Sequence, residues 1–508
     1  MFSKKKQLKQ EQKKIFVEIS DFSKGLNFDK DENALDPNYC VNTFNFAYKN
    51  GVLTENYGLK NLQCPNYEDE TLNDMKQYWE NEVVNFKKVW MFKVYDEFYG
   101  GRVDKLLFYS DTQKLFFSRI ITSIPLILEV SSKVYSEMPD FAFDLKIDGV
   151  DYNIFGSEKI GVYRYDGAVE PVVCENLPPI SSICEFKGKL YGTTYGEKNL
   201  IYFHNNLNLL SWRATEDEFN GKIEMNDSRG KINKVIPFLD YLFAIRDYGI
   251  SKISVLGKLG EHNVTHLSLS GYKIYENTVA ICGDKMLMLT KQGIAEFNGV
   301  WSKVLDISVN EMLKNVENSA AVCAFHAGKY YLACKLNFRD EQKIGCESEE
   351  NCKNNALIIL DAQTLEFDIL RGIDVASLCS IQLDKQDKIA IVLNCGQTTK
   401  ICELDHSGVN FDVALKKEWT SPLTDFGYSN KIKHVRNFSI FTKYDVSVTI
   451  FSEKTSKTFV VKGKDTLSKI KVNLKGKQIG IKICTTEKQA RVGNVKLEIE
   501  LLDYGFVE

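Results

Sequence analysis

Six histidines (His204, His262, His266, His326, His406 and His434) and thirteen cysteines are the side chains here most able to ligate a metal or act as base and nucleophile. Only His262 and His266 stand close. Four residues apart is the spacing that puts two imidazoles on one helical face for a metal. The segment Asn263-Val264-Thr265-His266-Leu267-Ser268-Leu269 reads as strand, however, and positions four apart on a strand are too distant to chelate without help. Asp405-His406-Ser407 holds the residue types of a hydrolytic triad, but adjacent side chains diverge and the tripeptide reads as a turn. Asp29-Lys30-Asp31-Glu32-Asn33 begins like a calcium loop. Ala34 then replaces the glycine and Cys40 the bidentate glutamate that such a loop needs, so a solvated acidic loop is the plainer reading.

The cysteines show no C-x-x-C spacing. Most fall in strand-like runs (Cys184, Cys282, Cys323, Cys334, Cys379, Cys484), where a thiol serves as a small buried hydrophobe. Cys346 and Cys352 flank the polar phrase GCESEENC and read as free thiols of a loop in a reducing compartment. There is no phosphate-binding loop, no dinucleotide fingerprint, no H-E-x-x-H and no nucleophile elbow. A glycosidase's paired carboxylates leave no local spacing to find. The sequence therefore offers no catalytic residue, no cofactor site and no metal site.

What must position these residues is a repeated strand pattern. Ser181 to Trp212 runs strand, turn, strand, turn, strand, with Gly188, Gly192 and Gly196 at or beside the turns. This is the form of an antiparallel meander. The pattern returns at Val89–Phe117, Phe143–Val172, Lys234–Leu256, Thr278–Val304, Ala321–Leu370 (with a polar inset, 337–355) and Leu378–Leu404. Units of roughly 35–55 residues match the four-stranded blade of a β-propeller. Stacked sandwiches would also give regular turns, but a sandwich usually ends within about 250 residues. After Glu418 the strands become longer and alternate strictly, as in Phe438–Ile450, which indicates one buried face. The expected fold is all-β: a divergent propeller of about six or seven blades followed by a C-terminal β-sandwich. The expected division is a basic tail 1–14, a propeller body 15–418 with an opening segment 15–85, and a sandwich 419–508.

The opening passage, Phe22 to Leu62, orders G-L-N, L-D-P, N-x-F, N-G-V-L and Y-G-L. It resembles the start of β-propeller structural proteins of tailed bacteriophages and related phage-derived particles. The lead-in W-T-S-P-x-T-D-F-G (Trp419 to Gly427) and the alternating strands after it resemble the C-terminal part of the same proteins. The resemblance implies a structural, nozzle- or stabilisation-like virion protein of the tail or head-to-tail connection. Such a protein works by subunit–subunit contacts, with no enzymatic activity and no cofactor. It also implies a homo-oligomeric ring, other tail or connector proteins as partners, transient passage of DNA, and a virion location after assembly in the host cytoplasm. A carbohydrate-binding or carbohydrate-cleaving receptor-type propeller and a cellular propeller scaffold are the alternatives.

Charge bears on partners. The net −3 comprises +5 in residues 1–14, +7 in residues 419–508 and −15 between them, so the ends and the body face different surroundings. The N-terminus lacks the apolar core of a signal peptide, and no apolar run is long enough to span a bilayer. With the meanders read as architecture, partner binding falls to the flanks: Gly25, Leu26, Asn27 and Pro37 in the opening, and Lys431, Lys433 and Arg436 in the C-terminal strands.

Overall fold

The computed structural model describes residues 13–27, 35–62, 86–96, 101–110, 114–121, 124–167, 170–256, 261–269, 272–338, 352–383, 386–396, 398–411 and 413–503. The chain divides into two compact units, one of residues 60–367 and 372–404, the other of residues 1–59, 368–371 and 405–508.

The larger unit is a β-propeller. Six consecutive four-stranded antiparallel sheets begin with Phe86–Asp96, Phe141–Ile147, Ile180–Phe186, Ile232–Phe238, Ala280–Cys282 and Val322–His326. A seventh sheet starts at Val375–Leu383 and continues through Gln386–Cys395 and Thr398–Asp405. Its fourth place is filled from the front of the chain. Leu62 N donates to Ile401 O (3.1 Å), and Lys60 Nζ lies 3.1 Å from Glu403 Oε1. The same Leu62 packs with Ile381, Ala390 and Val392 of the seventh blade and with Phe86, Val89 and Leu106 of the first. One early segment therefore closes the ring between last blade and first.

Elsewhere, neighbouring blades are joined by apolar seams. Phe155 and Tyr163 pack with Leu107 and Tyr109, and Trp212, wholly buried, packs with Ile154 and Ile180. A Cβ on Gly192 would come within 3.0 Å of the Trp212 ring, so this glycine serves that close approach.

Several hairpin tips between first and second strands carry two residues with positive φ, which favours Gly or Asn. Asp148-Gly149, Lys187-Gly188 and Ala327-Gly328 supply a glycine. The fourth blade does not. Leu239 sits at φ 45° and Asp240 at φ 60°, and the Leu239 side chain is 49% exposed. A left-handed leucine carries a strain of about 1 kcal/mol that asparagine largely avoids. Leu239→Asn is expected to raise stability by about 1 kcal/mol, read as an upward shift of the denaturant midpoint.

The smaller unit is a β-sandwich, and here the expected boundaries need correction. Of the opening segment, residues 15–59 belong to the sandwich unit and those from 60 onward to the propeller, and the sandwich unit resumes at residue 405 rather than 419. Lys14–Ile19 pairs along Arg491–Leu502, from Lys14 opposite Glu500 to Ile19 opposite Val495. Asn42–Phe44 pairs with Lys417–Thr420, and Val52–Glu55 meets the start of Arg491–Leu502. The reason is the side chains' need for cover. Ile15, Val17 and Ile19 alternate, and the final strand gives their apolar side a sheet to join. The two sheets are Phe46–Lys49, Val52–Glu55, Arg491–Leu502, Ile432–Thr442 and Lys464–Gly476, with Lys14–Ile19 beside the third, and Asn42–Phe44, Lys417–Thr420, Ile479–Thr485, Val446–Ser452 and Ser456–Val461. Alternate residues such as Val446, Val448 and Ile450 are buried, as the period-two pattern requires. The Phe438 ring of one sheet meets Phe459 of the other at 5.6 Å.

Candidate functional site

A polar constellation in the propeller gathers on Asp227, in the loop between the third and fourth blades. Its carboxylate accepts from Arg246 Nη1 (2.6 Å) and the Arg229 backbone N–H (2.8 Å), and His266 Nε2 lies 3.1 Å from it. Arg246 is 1% exposed and also donates to the carbonyls of Gly230 (2.6 and 3.1 Å) and Met225 (3.4 Å). Ser251 Oγ lies 2.9 Å from His266 Nδ1. Burial alone would raise the Asp227 pKa. The Arg229 N–H, the hydrogen bond and charge of Arg246, and the charge of His266 outweigh it and hold the carboxyl below its usual range.

Serine, histidine and aspartate are thus in line, but the arrangement does not fit acyl transfer. Ser251 is fully buried, so no substrate carbonyl can approach its hydroxyl, and the buried Arg246 guanidinium holds the aspartate. The constellation acts as a strut between blades. Beside it a cavity of about 420 Å³ is lined by Lys198, Asn199, Met225, Asn226, Asp227, Gly230, Lys231 and Arg246.

Neither histidine of the spaced pair meets the other's partner. His262 Nε2 lies 3.2 Å from the Tyr191 hydroxyl, whereas His266 joins Asp227 and Ser251. No cluster of three or more His, Cys, Asp or Glu side chains with metal-holding geometry occurs among the described residues. His406 lies in a turn with its ring 4.6 Å from Tyr57. Residues 28–34, with most of the calcium-like loop, and 339–351, with Cys346, lie outside the described residues. The described base of the inset is clamped by Asn355, whose amide accepts from Leu336 N (2.8 Å) and donates to Leu336 O (3.0 Å).

The flank residues have structural partners within the sandwich unit. Gly25 takes φ 68°, and its carbonyl accepts from Cys40 N (2.9 Å). Leu26 is buried beside Cys40, and Asn27 N donates to Cys40 O (2.8 Å). Pro37 is half-buried next to Asp36, whose carboxylate takes Lys24 Nζ (2.6 Å) and Asn38 N (2.9 Å). Lys431 pairs with Asp503. Lys433 is wholly buried, donates to the carbonyls of Tyr428 (2.5 Å) and Lys431 (3.0 Å), and is pushed down in pKa by that burial. Arg436 holds Glu500 through Nε (2.7 Å) and Nη2 (2.6 Å).

Burial holds several of the described thiols protonated. Burial pushes Cys40 and Cys282 up to about 12 and Cys174 up to about 11. A folded pKa raised above the unfolded value of 9.0 gives stability that is complete below pH 9. That stability is lost as pH rises toward 12, at about 1.4 kcal/mol per pH unit for each thiol. Lys88 and Lys417, both pushed down to about 8 by burial, oppose this between about 8 and 10.5. The thiols outnumber them. In reducing buffer the urea midpoint should therefore fall between pH 9 and pH 10.5, and a flat profile would contradict the burial.

No protein-family model matches the chain, and no curated protein matches it. Among solved structures it is similar to BBS1N, solved in complex with ARL6DN, at 12% identity and TM-score 0.39, over 60% of this chain and 88% of that one. It is similar to the N-terminal domain of Nup159 at 10% identity and TM-score 0.38, over 68% and 95%. The extracellular domain of the putative hybrid two-component system BT4673 of B. thetaiotaomicron matches at 12% identity and TM-score 0.43, over 88% and 61%. The class of protein defined here is the β-propeller with an appended sandwich, and its blades and ring closure carry that assignment.

Proposed function

We propose that this chain is a non-enzymatic structural protein of a tailed phage or phage-derived particle, part of the tail or head-to-tail connection and assembled by subunit–subunit contacts. One observation carries the reading. The two phrases that bear the resemblance, 22–62 and 419–427, are far apart in sequence, yet their parts fold together in one unit. Val41 N donates to Thr420 O (2.9 Å), Asn42–Phe44 pairs with Lys417–Thr420, and the Phe22 ring meets Trp419 edge-on at 4.9 Å. Residues 22–59 and the C-terminal strands thus form a single module. The reading is supported further by a Ser–His–Asp constellation with its serine buried and by thiols held protonated. The proposal includes a homo-oligomeric ring, contacts with neighbouring tail or connector proteins, and a virion location.

Electron microscopy of purified particles, with the chain identified by mass spectrometry, tests it. Several copies in a ring on the tail axis are expected. Absence of the chain from the particles would overturn the proposal. A saccharide-binding propeller is the second reading, favoured by the cavity at Asp227, whose volume lies in the range of small-ligand sites and whose lining is rich in amides and charge. Saturable binding on a glycan array, lost in Lys231→Glu, would favour it.

A further inference from the structure

The strand Lys464–Gly476 ends one sheet of the sandwich, with Ile432–Thr442 its only neighbour in the sheet order among the described residues. Its thirteen residues span about 40 Å, long for a strand left with an open side, since such an edge is a template for another chain. Between Lys454 and Lys477 eight lysines stand against Asp465 alone. Some are already engaged. Lys457 Nζ covers the edge carbonyls of Val472 (3.1 Å) and Asn473 (2.8 Å), Lys462 pairs with Asp445 (2.5 Å) and Lys469 with Glu498 (3.3 Å). Lys464, Lys471 and Lys475 have no carboxylate within 4 Å among the described residues. Residues 464–471 make no main-chain bond beyond their own sheet among the described residues. Leu467 is 60% exposed there, and Val460 on the adjoining edge strand is 71% exposed.

We propose that this open edge is a docking strand for an extended, acidic segment of a partner protein. Main-chain pairing would supply affinity, and carboxylates opposite Lys464, Lys471 and Lys475 would supply selectivity. The same lysines disfavour pairing with a second copy of the edge, because like charges would face each other. An acidic strand turns that repulsion into attraction. Nucleic acid fits less well: single strands bind over aromatic platforms, whereas the exposed apolar residues of these edges, Leu467 and Val460, are aliphatic. The inference rests on this surface alone and holds whatever particle the chain serves.

The test uses the full chain and a labelled short peptide alternating glutamate and valine, followed by fluorescence anisotropy. Saturable binding is expected, weakened about tenfold or more by combined Lys464→Glu, Lys471→Glu and Lys475→Glu. Binding should also be lost when a central valine of the peptide becomes proline, which cannot pair as a strand. The proline peptide probes the wild-type chain, so it is decisive even if the triple variant misfolds. No saturable binding, equal binding of the proline peptide, or tighter binding of oligothymidylate would overturn the proposal.

Discussion

Replacing Asp227 by alanine is expected to destabilise the propeller by about 3–5 kcal/mol, the cost of leaving a buried guanidinium without its counter-charge. Arg246 is 1% exposed. Without Asp227 it keeps the Gly230 and Met225 carbonyls as partners but loses the carboxylate it pairs with, Arg229 N loses its acceptor, and His266 loses a neighbouring carboxylate. Asp227→Asn retains an acceptor oxygen but not the charge, so its loss should be smaller. The pH dependence has a definite sign. Asp227 is depressed on folding, so its contribution is present above the unfolded carboxylate pKa of 3.8 and disappears as pH falls through the lower folded value. Urea unfolding at pH 7, followed through the buried Trp212 of the adjoining blade, gives the magnitude. A loss below 1 kcal/mol would mean that solvent reaches Arg246 and that the strut is not buried as described.

The propeller was readable because its information is local. Each blade is a run of short strands joined by turn pairs such as Asp148-Gly149 and Lys187-Gly188, and a positive φ at those positions leaves a mark in residue type. Leu239-Asp240 shows the limit, since that tip takes the same turn without the residues that would announce it. What could not be read was pairing across the chain. Nothing in Ile15-Phe16-Val17 says that its neighbour is Leu497–Ile499, and nothing in Leu62 says that it closes the last blade against the first. Alternation fixes which side of a strand is buried, not which strand covers it. The Asp227 constellation leaves little mark in the sequence for a related reason. His266 stands out in the sequence by its spacing from His262, whereas its partners are Ser251, directly opposite in the same hairpin, and an aspartate from the preceding loop. The hairpin register was the available signal for Ser251; the loop aspartate had none.

The same contrast governs the largest effect expected in the sandwich, that of Asn45→Ala. Asn45 directly follows the N-x-F phrase of the opening (Asn42 to Phe44) and is 1% exposed. Its φ of 58° lies in the left-handed region, where asparagine is tolerated and alanine is strained by about 1 kcal/mol. Its amide also joins two distant segments of the unit. Oδ1 accepts from Arg371 N (2.8 Å), and Nδ2 donates to Lys416 O (2.8 Å) and Arg371 O (3.3 Å). Alanine would leave these buried main-chain groups without their partner, at about 1–3 kcal/mol for each that water cannot reach. Together with the strain, the expected loss is about 4 kcal/mol. Asn45→Gly separates the two causes: it relieves the left-handed strain but restores no hydrogen bond, so it should recover only about 1 kcal/mol of the loss. Equal stability of the glycine variant and wild type in denaturant titrations would show that the backbone conformation, and not the amide clamp, is what this asparagine provides.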